Sequence, residues 1–176
     1  MRNTRAFGAA RRVALVGICA AVIECAKLAL AALPNIEVVT LLVALFGYNF
    51  GGAGVLAALL FVCIEPLVFG VGSWVVSYFL YWPALALLFM LLRRAGVRSR
   101  LVLTLAALLS TLWFGVLTSL VDIGLFTGYL DNFFYRFGIY YARGIPFYSA
   151  QLVTNAVLFP LLFKFLSDKL GKIIKM

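Results

Sequence analysis

The chain has 176 residues, 65% hydrophobic and 12% charged, with a mean hydropathy of +1.11. A soluble domain is about half apolar and about a quarter charged, and a small one has too little interior to hide such an excess, so a water-soluble globule is excluded and lipid must cover the remainder. The net charge of +9 does not point to nucleic acid, because the cations stand at the ends of apolar runs, where membrane topology puts them.

Six apolar segments occur, at 13–33, 37–50, 53–69, 74–92, 101–125 and 147–166. A span needs about 20 such residues, so they predict an all-α integral membrane protein, a single membrane domain over 1–176 with six transmembrane helices. The first segment follows arginines, as a signal peptide would, but it carries Glu24 and Lys27 and outlasts a signal core. It ends at Leu33-Pro34-Asn35, a helix stop. Gly51-Gly52-Ala53-Gly54 divides the short second and third segments. The fourth ends at Arg93-Arg94 and the fifth near Thr127-Gly128. A polar, aromatic loop from Tyr129 to Gly144 then leads to Ile145-Pro146 and the last helix, which Pro160 should kink.

Charge decides whether 37–69 is one helix or two. With two, Arg2, Arg5, Arg11 and Arg12, then Arg93, Arg94, Arg98 and Arg100, then Lys164, Lys169, Lys172 and Lys175 all fall on one side. Cations favour the cytoplasm, so both termini are expected to be cytoplasmic. The other side receives Glu37, Glu65, Asp122 and Asp131 together with Trp74, Tyr78, Tyr129, Arg136 and Tyr140, with Tyr81 and Trp82 one turn deeper. Such a mixture suits a pocket for a polar, ring-bearing molecule, although an interfacial aromatic belt predicts the same tyrosines and tryptophans. Gln151 and Asn155, four apart, share one helix face. They should face the interior, where either interhelical hydrogen bonding or ligand binding accounts for them. Glu24 and Lys27, three apart, are expected to pair on helix one, and Ala10, Ala14, Gly17 and Ala21 give that helix a small-residue face.

Cys19, Cys25 and Cys63 lie within apolar segments, odd in number and without metal-ligand spacing, and read as packing residues. There is no Walker sequence, no HExxH and no histidine at all, so neither enzyme activity nor a cofactor or metal is expected.

Leu33-Pro34-Asn35-Ile36-Glu37-Val38-Val39-Thr40-Leu41-Leu42, then Glu65-Pro66-Leu67-Val68-Phe69-Gly70, Trp82-Pro83-Ala84-Leu85-Ala86 and Gly144-Ile145-Pro146-Phe147 complete a pattern over nearly the whole chain. It resembles the substrate-binding S components of energy-coupling factor (ECF) vitamin transporters. The resemblance implies a six-helix protein of a prokaryotic plasma membrane that binds a vitamin in an outward-facing cavity. It also implies docking on a membrane scaffold subunit that carries two ATPase subunits. The family's Ala-xxx-Ala docking pattern on helix one corresponds to Gly17-xxx-Ala21, with Ala14 one turn earlier. The expected ligand contacts are Asn35, Trp74, Tyr78, Tyr81, Asp122, Tyr129, Arg136 and Tyr140. The long fifth loop favours a large or anionic vitamin, cobalamin or a related corrinoid first, with folate, pantothenate, riboflavin, thiamine and queuosine precursors open. The expected partners are therefore that small molecule, the scaffold and its ATPases, and membrane lipid, with no nucleic acid. Two rival functions remain: a proton-driven secondary transporter using Glu24, Lys27 and Asp122, and a membrane enzyme or assembly subunit without a vitamin pocket.

Overall fold

In the computed structural model residues 2–32, 36–127 and 130–174 are described, and every regular element among them is helical. They form six rods. Helix α1 spans Arg2–Ala29, α2 Val39–Phe50, α3 Gly52–Phe69 and α4 Trp74–Arg94. The fifth rod is α5, Arg100–Val121, extended by a π-helical turn at Asp122–Phe126. The sixth is α6, Phe133–Leu158, joined through a second π-helical turn at Phe159–Phe163 to α7, Lys164–Ile174. Four rods, those built on α3, α4, α5 and α6, are long and apolar enough to cross a membrane. The chain is a multi-pass membrane protein, and its outward-facing Leu67, Leu101, Phe134 and Leu161 suit a lipid surround.

Helix α2 does not fit a simple spanning role. Its 12 residues reach about 18 Å at 1.5 Å per residue, well short of a hydrocarbon core about 30 Å thick. It is buried along nearly all of Val39 to Tyr48, and it touches every other rod. A helix apolar on all sides belongs inside a bundle, and α2 is the central post around which the others pack. Its closest neighbour is α4. A Cβ at Gly47 would collide with the carbonyl oxygen of Ala86, so only glycine allows this backbone approach. Gly51, with φ +58°, then turns the chain directly into α3, a conformation that costs glycine little. The segment 37–69 is thus two helices.

The rods alternate in direction, which gathers most of the described arginines and lysines at one end. Arg11 and Arg12 share a hollow there with Phe50 and Leu170, and Arg93, Arg98 and Lys164 share another with Tyr48. The opposite end carries the links before α2, between α3 and α4, and before α6.

One expectation needs correction. The last rod begins at Phe133 rather than at 147, so most of the expected aromatic loop is helical. Rings four apart explain it: Phe133 stacks on Phe137 at 6.2 Å between centroids, and Phe137 on Tyr141 at 5.9 Å. That spacing keeps the rings on one face, and Pro146 is carried inside the helix. At Pro160, the missing N–H and the ring clash one turn earlier are absorbed by the π-helical turn Phe159–Phe163. All three cysteines are free, Cys19 buried and Cys25 and Cys63 exposed.

Candidate functional site

The site begins with a lysine that does not pair where the local spacing predicts. Lys27 leaves Glu24 on its own helix and forms an ion pair with Glu65 on α3. Glu65 is 1% exposed, against 26% for Lys27. A lone carboxylate at that depth would be costly, and the cross-helix ammonium offsets the cost. The same ammonium lies 4.3 Å from the ring centroid of Phe69, 5.5 Å from Tyr78 and 5.9 Å from Phe61, within cation–π range. Glu24 is also buried. It lies against Glu65, but neither of its oxygens makes a well-formed hydrogen bond.

Above this cluster, at the end opposite the cations, a cavity of about 200 Å³ opens between α1, the link before α2, α3, α4 and α6. Lys27, Glu37 and Gln151 supply its polar lining. Phe61, Phe69, Tyr78, Trp82 and Phe147 supply rings. The ring wall is braced from behind. Trp74 packs edge-on against Tyr78 at 4.9 Å, Tyr78 against Trp82 at 5.6 Å, and Tyr81 against Phe114 at 4.7 Å. Interlocked rings of this kind resist reorientation.

Glu37 is held by the helix it precedes. Its carboxylate accepts the backbone N–H of Thr40 at 2.9 Å and the Thr40 hydroxyl at 2.5 Å, an arrangement that suits a negative charge at a helix N-terminus. Asn155 Nδ2 donates to Glu37 at 3.3 Å and to the Thr111 hydroxyl at 3.1 Å. The buried Tyr81 side chain lies beside this group, near Thr40 and Thr111. The network ties the start of α2 to α5 and α6 beside the cavity. Two buried atoms in this region, Asn155 Oδ1 and Trp82 Nε1, have no partner.

Among the expected ligand contacts, Tyr78 lines the cavity and Trp74 supports it from behind. Tyr81 is buried under the wall rather than facing the opening. Asp122, on the π-helical turn after α5, and Arg136 and Tyr140, on α6, are not part of the lining. Asn35 and Tyr129 lie outside the described residues. Among the other lining residues, Phe61 carries no signal in the sequence; the spacing pairs Lys27 with Glu24, Trp82 stands with the outer aromatics, and Phe69 and Phe147 stand only within the resemblance. Glu37 and Gln151 carried a signal, as polar groups placed where lipid would penalise them.

On α1, Ala14 and Ala21 are exposed and Gly17 is half-buried, with nothing within 4 Å of a Cβ built there. The chain leaves this small-residue face uncovered. No group of three metal-ligating side chains occurs among the described residues. The arrangement is therefore suited to binding: aromatic area with one cation, one carboxylate and one amide to fix orientation. Comparison of the chain with protein-family models, with curated proteins and with solved structures finds no match.

Proposed function

We propose that this chain is the substrate-binding subunit of an ECF-type importer, capturing a small micronutrient from outside and releasing it inward while docked on its energising module. One observation carries this reading. The cavity joining Lys27, Glu37 and Gln151 to five aromatic rings lies at the end opposite the cations. By the positive-inside rule the basic end is cytoplasmic, both termini with it, and the cavity then opens to the exterior. ATP hydrolysis belongs to partner subunits, and the small-residue face at Ala14, Gly17 and Ala21 is the docking surface for a scaffold helix.

The cavity also narrows the substrate. Small-molecule sites usually measure about 300–1,000 Å³, and about 200 Å³ suits a compound of one or two rings. A corrinoid would extend beyond the opening of this cavity, and a smaller vitamin-type molecule would fit within it. Lys27 has three donors, of which Glu65 takes one, leaving donors for an acidic group on the ligand. Glu37 and Gln151 suit its amide or hydroxyl groups.

The test is ATP-dependent uptake with co-purification. The affinity-tagged chain, extracted from its native membrane, is expected to bring a membrane scaffold and two ATPases with it. A chain that purifies alone and transports without them contradicts the proposal. The cluster of buried Glu24 and Glu65 with half-buried Lys27 favours a second reading, a proton-coupled transporter. That reading requires uptake that an uncoupler abolishes and that survives loss of the ATPases.

A further inference from the structure

A second polar cavity, of about 350 Å³, lies at the basic end between α2, α4, α5 and α7. It is independent of the micronutrient cavity, which occupies the other end. Tyr48 and Ser167 form its buried floor. The Tyr48 hydroxyl donates to the Val97 carbonyl at 2.7 Å and accepts from Arg93 Nη1 at 3.3 Å. The Arg93 guanidinium carbon stands 4.9 Å from the centroid of the Tyr48 ring. Ser167 donates to Asn49 Oδ1 at 2.8 Å. The floor is thus fixed by bonds to three elements.

Three cations line the walls from three separate places: Arg93 at the end of α4, Arg98 in the link before α5 and Lys164 at the start of α7. Among the described residues, none of them has a carboxylate within 4.0 Å. Asp168 also lines the cavity but pairs with none of them. Three positive charges therefore converge on a concave polar hollow against a single negative one. All three side chains and Asp168 are solvent-exposed, and Arg93 is held against the Tyr48 ring and hydroxyl.

We propose that this cavity is an anion site that holds a phosphate group through Arg93, Arg98 and Lys164. Phosphate fits better than carboxylate, because donors approaching from three directions match several oxygens around one centre. Basic pockets between helices at the membrane boundary are suited to anionic headgroups. The same chemistry would accept free phosphate.

The experiment uses the full chain in a neutral detergent, titrated separately with short-chain phosphatidylglycerol, with phosphatidylcholine and with inorganic phosphate. Native mass spectrometry counts bound molecules, and thermal shift follows saturation. The expected result is one saturable phosphorylated ligand per chain, weakened at least ten-fold in Arg93→Gln/Arg98→Gln/Lys164→Gln. The control Arg94→Gln/Lys169→Gln/Lys172→Gln removes the same charge from the same end, outside the cavity, and is expected to bind as the parent does. Saturation by phosphatidylglycerol but not by inorganic phosphate identifies a lipid headgroup as the source; saturation by inorganic phosphate with the same variant pattern identifies a soluble phosphate. Should the triple variant not fold, Arg98→Gln/Lys164→Gln, which breaks no internal bond, is expected to show a smaller loss in the same direction. Equal weakening in the cavity and control variants overturns the proposal. So does saturable binding of phosphatidylcholine with the same affinity, or no saturable binding at all.

Discussion

The ammonium of Lys27 on α1 meets the carboxylate of Glu65 on α3, although Glu24 stands three positions earlier on the lysine's own helix. The pair clasps two rods and holds a cation against three rings at the base of the cavity. It is structural and chemical at once, because the contact that joins α1 to α3 also sets the polar character of the site.

Removing one partner should therefore be worse than removing both. Lys27→Met leaves Glu65 buried without its cation, and breaking such a pair costs about 3–5 kcal/mol. Lys27→Met/Glu65→Leu, which removes both charges, is expected to recover a large part of that loss. Thermal unfolding of the three proteins in one detergent measures the difference. A double variant less stable than Lys27→Met would show that the ion pair is not what holds α1 to α3.

Two glycines should behave in opposite ways. Gly47→Ala sets a methyl against the Ala86 carbonyl and forces α2 away from α4. Overpacking of this kind costs about 1–3 kcal/mol. Gly17→Leu enters open space and should leave both the melting temperature and ligand binding unchanged, while it blocks the proposed scaffold docking and hence uptake. Full ATP-dependent uptake by Gly17→Leu would move the docking surface elsewhere.

Much of this fold is legible in the sequence, because its strongest signals are local. Gly51-Gly52 marks the turn between α2 and α3, and arginine and lysine clusters mark one end of the bundle. Gln151 and Asn155, four apart, are both buried, as their shared face predicts. What the sequence does not carry is choice among distant partners. Glu24 satisfies the i,i+3 rule for Lys27 as well as any residue can, and only packing of α1 on α3 reveals Glu65 as the better one. Phe61 and Phe69 look like any apolar residues of a membrane helix until four rods and the link before α2 converge on one hollow. The stretch 133–144 reads as a loop because it is aromatic and polar, yet rings four apart stabilise it as helix.

Topology gives a direct outcome. Both Ser99 and Asp131 are exposed, near opposite ends of the bundle. In a cysteine-free background, Asp131→Cys in intact cells should react with a membrane-impermeant maleimide. Ser99→Cys should react only after the membrane is opened. Labelling of Ser99→Cys in sealed cells would invert the proposed orientation.

The sharpest measurement is binding of small ring-bearing micronutrients to the purified chain, screened by thermal shift and then titrated by calorimetry in the parent and two variants. One compound should bind with one-to-one stoichiometry. Tyr78→Ala, which removes a ring from the cavity wall, should weaken it about ten-fold, a loss of roughly 1.4 kcal/mol. Tyr140→Ala, on α6 and outside the lining, should bind as the parent does. No saturable ligand in the screen, or a ligand held equally well by Tyr78→Ala and weakened by Tyr140→Ala, would contradict a substrate-binding cavity at Lys27, Glu37 and Gln151.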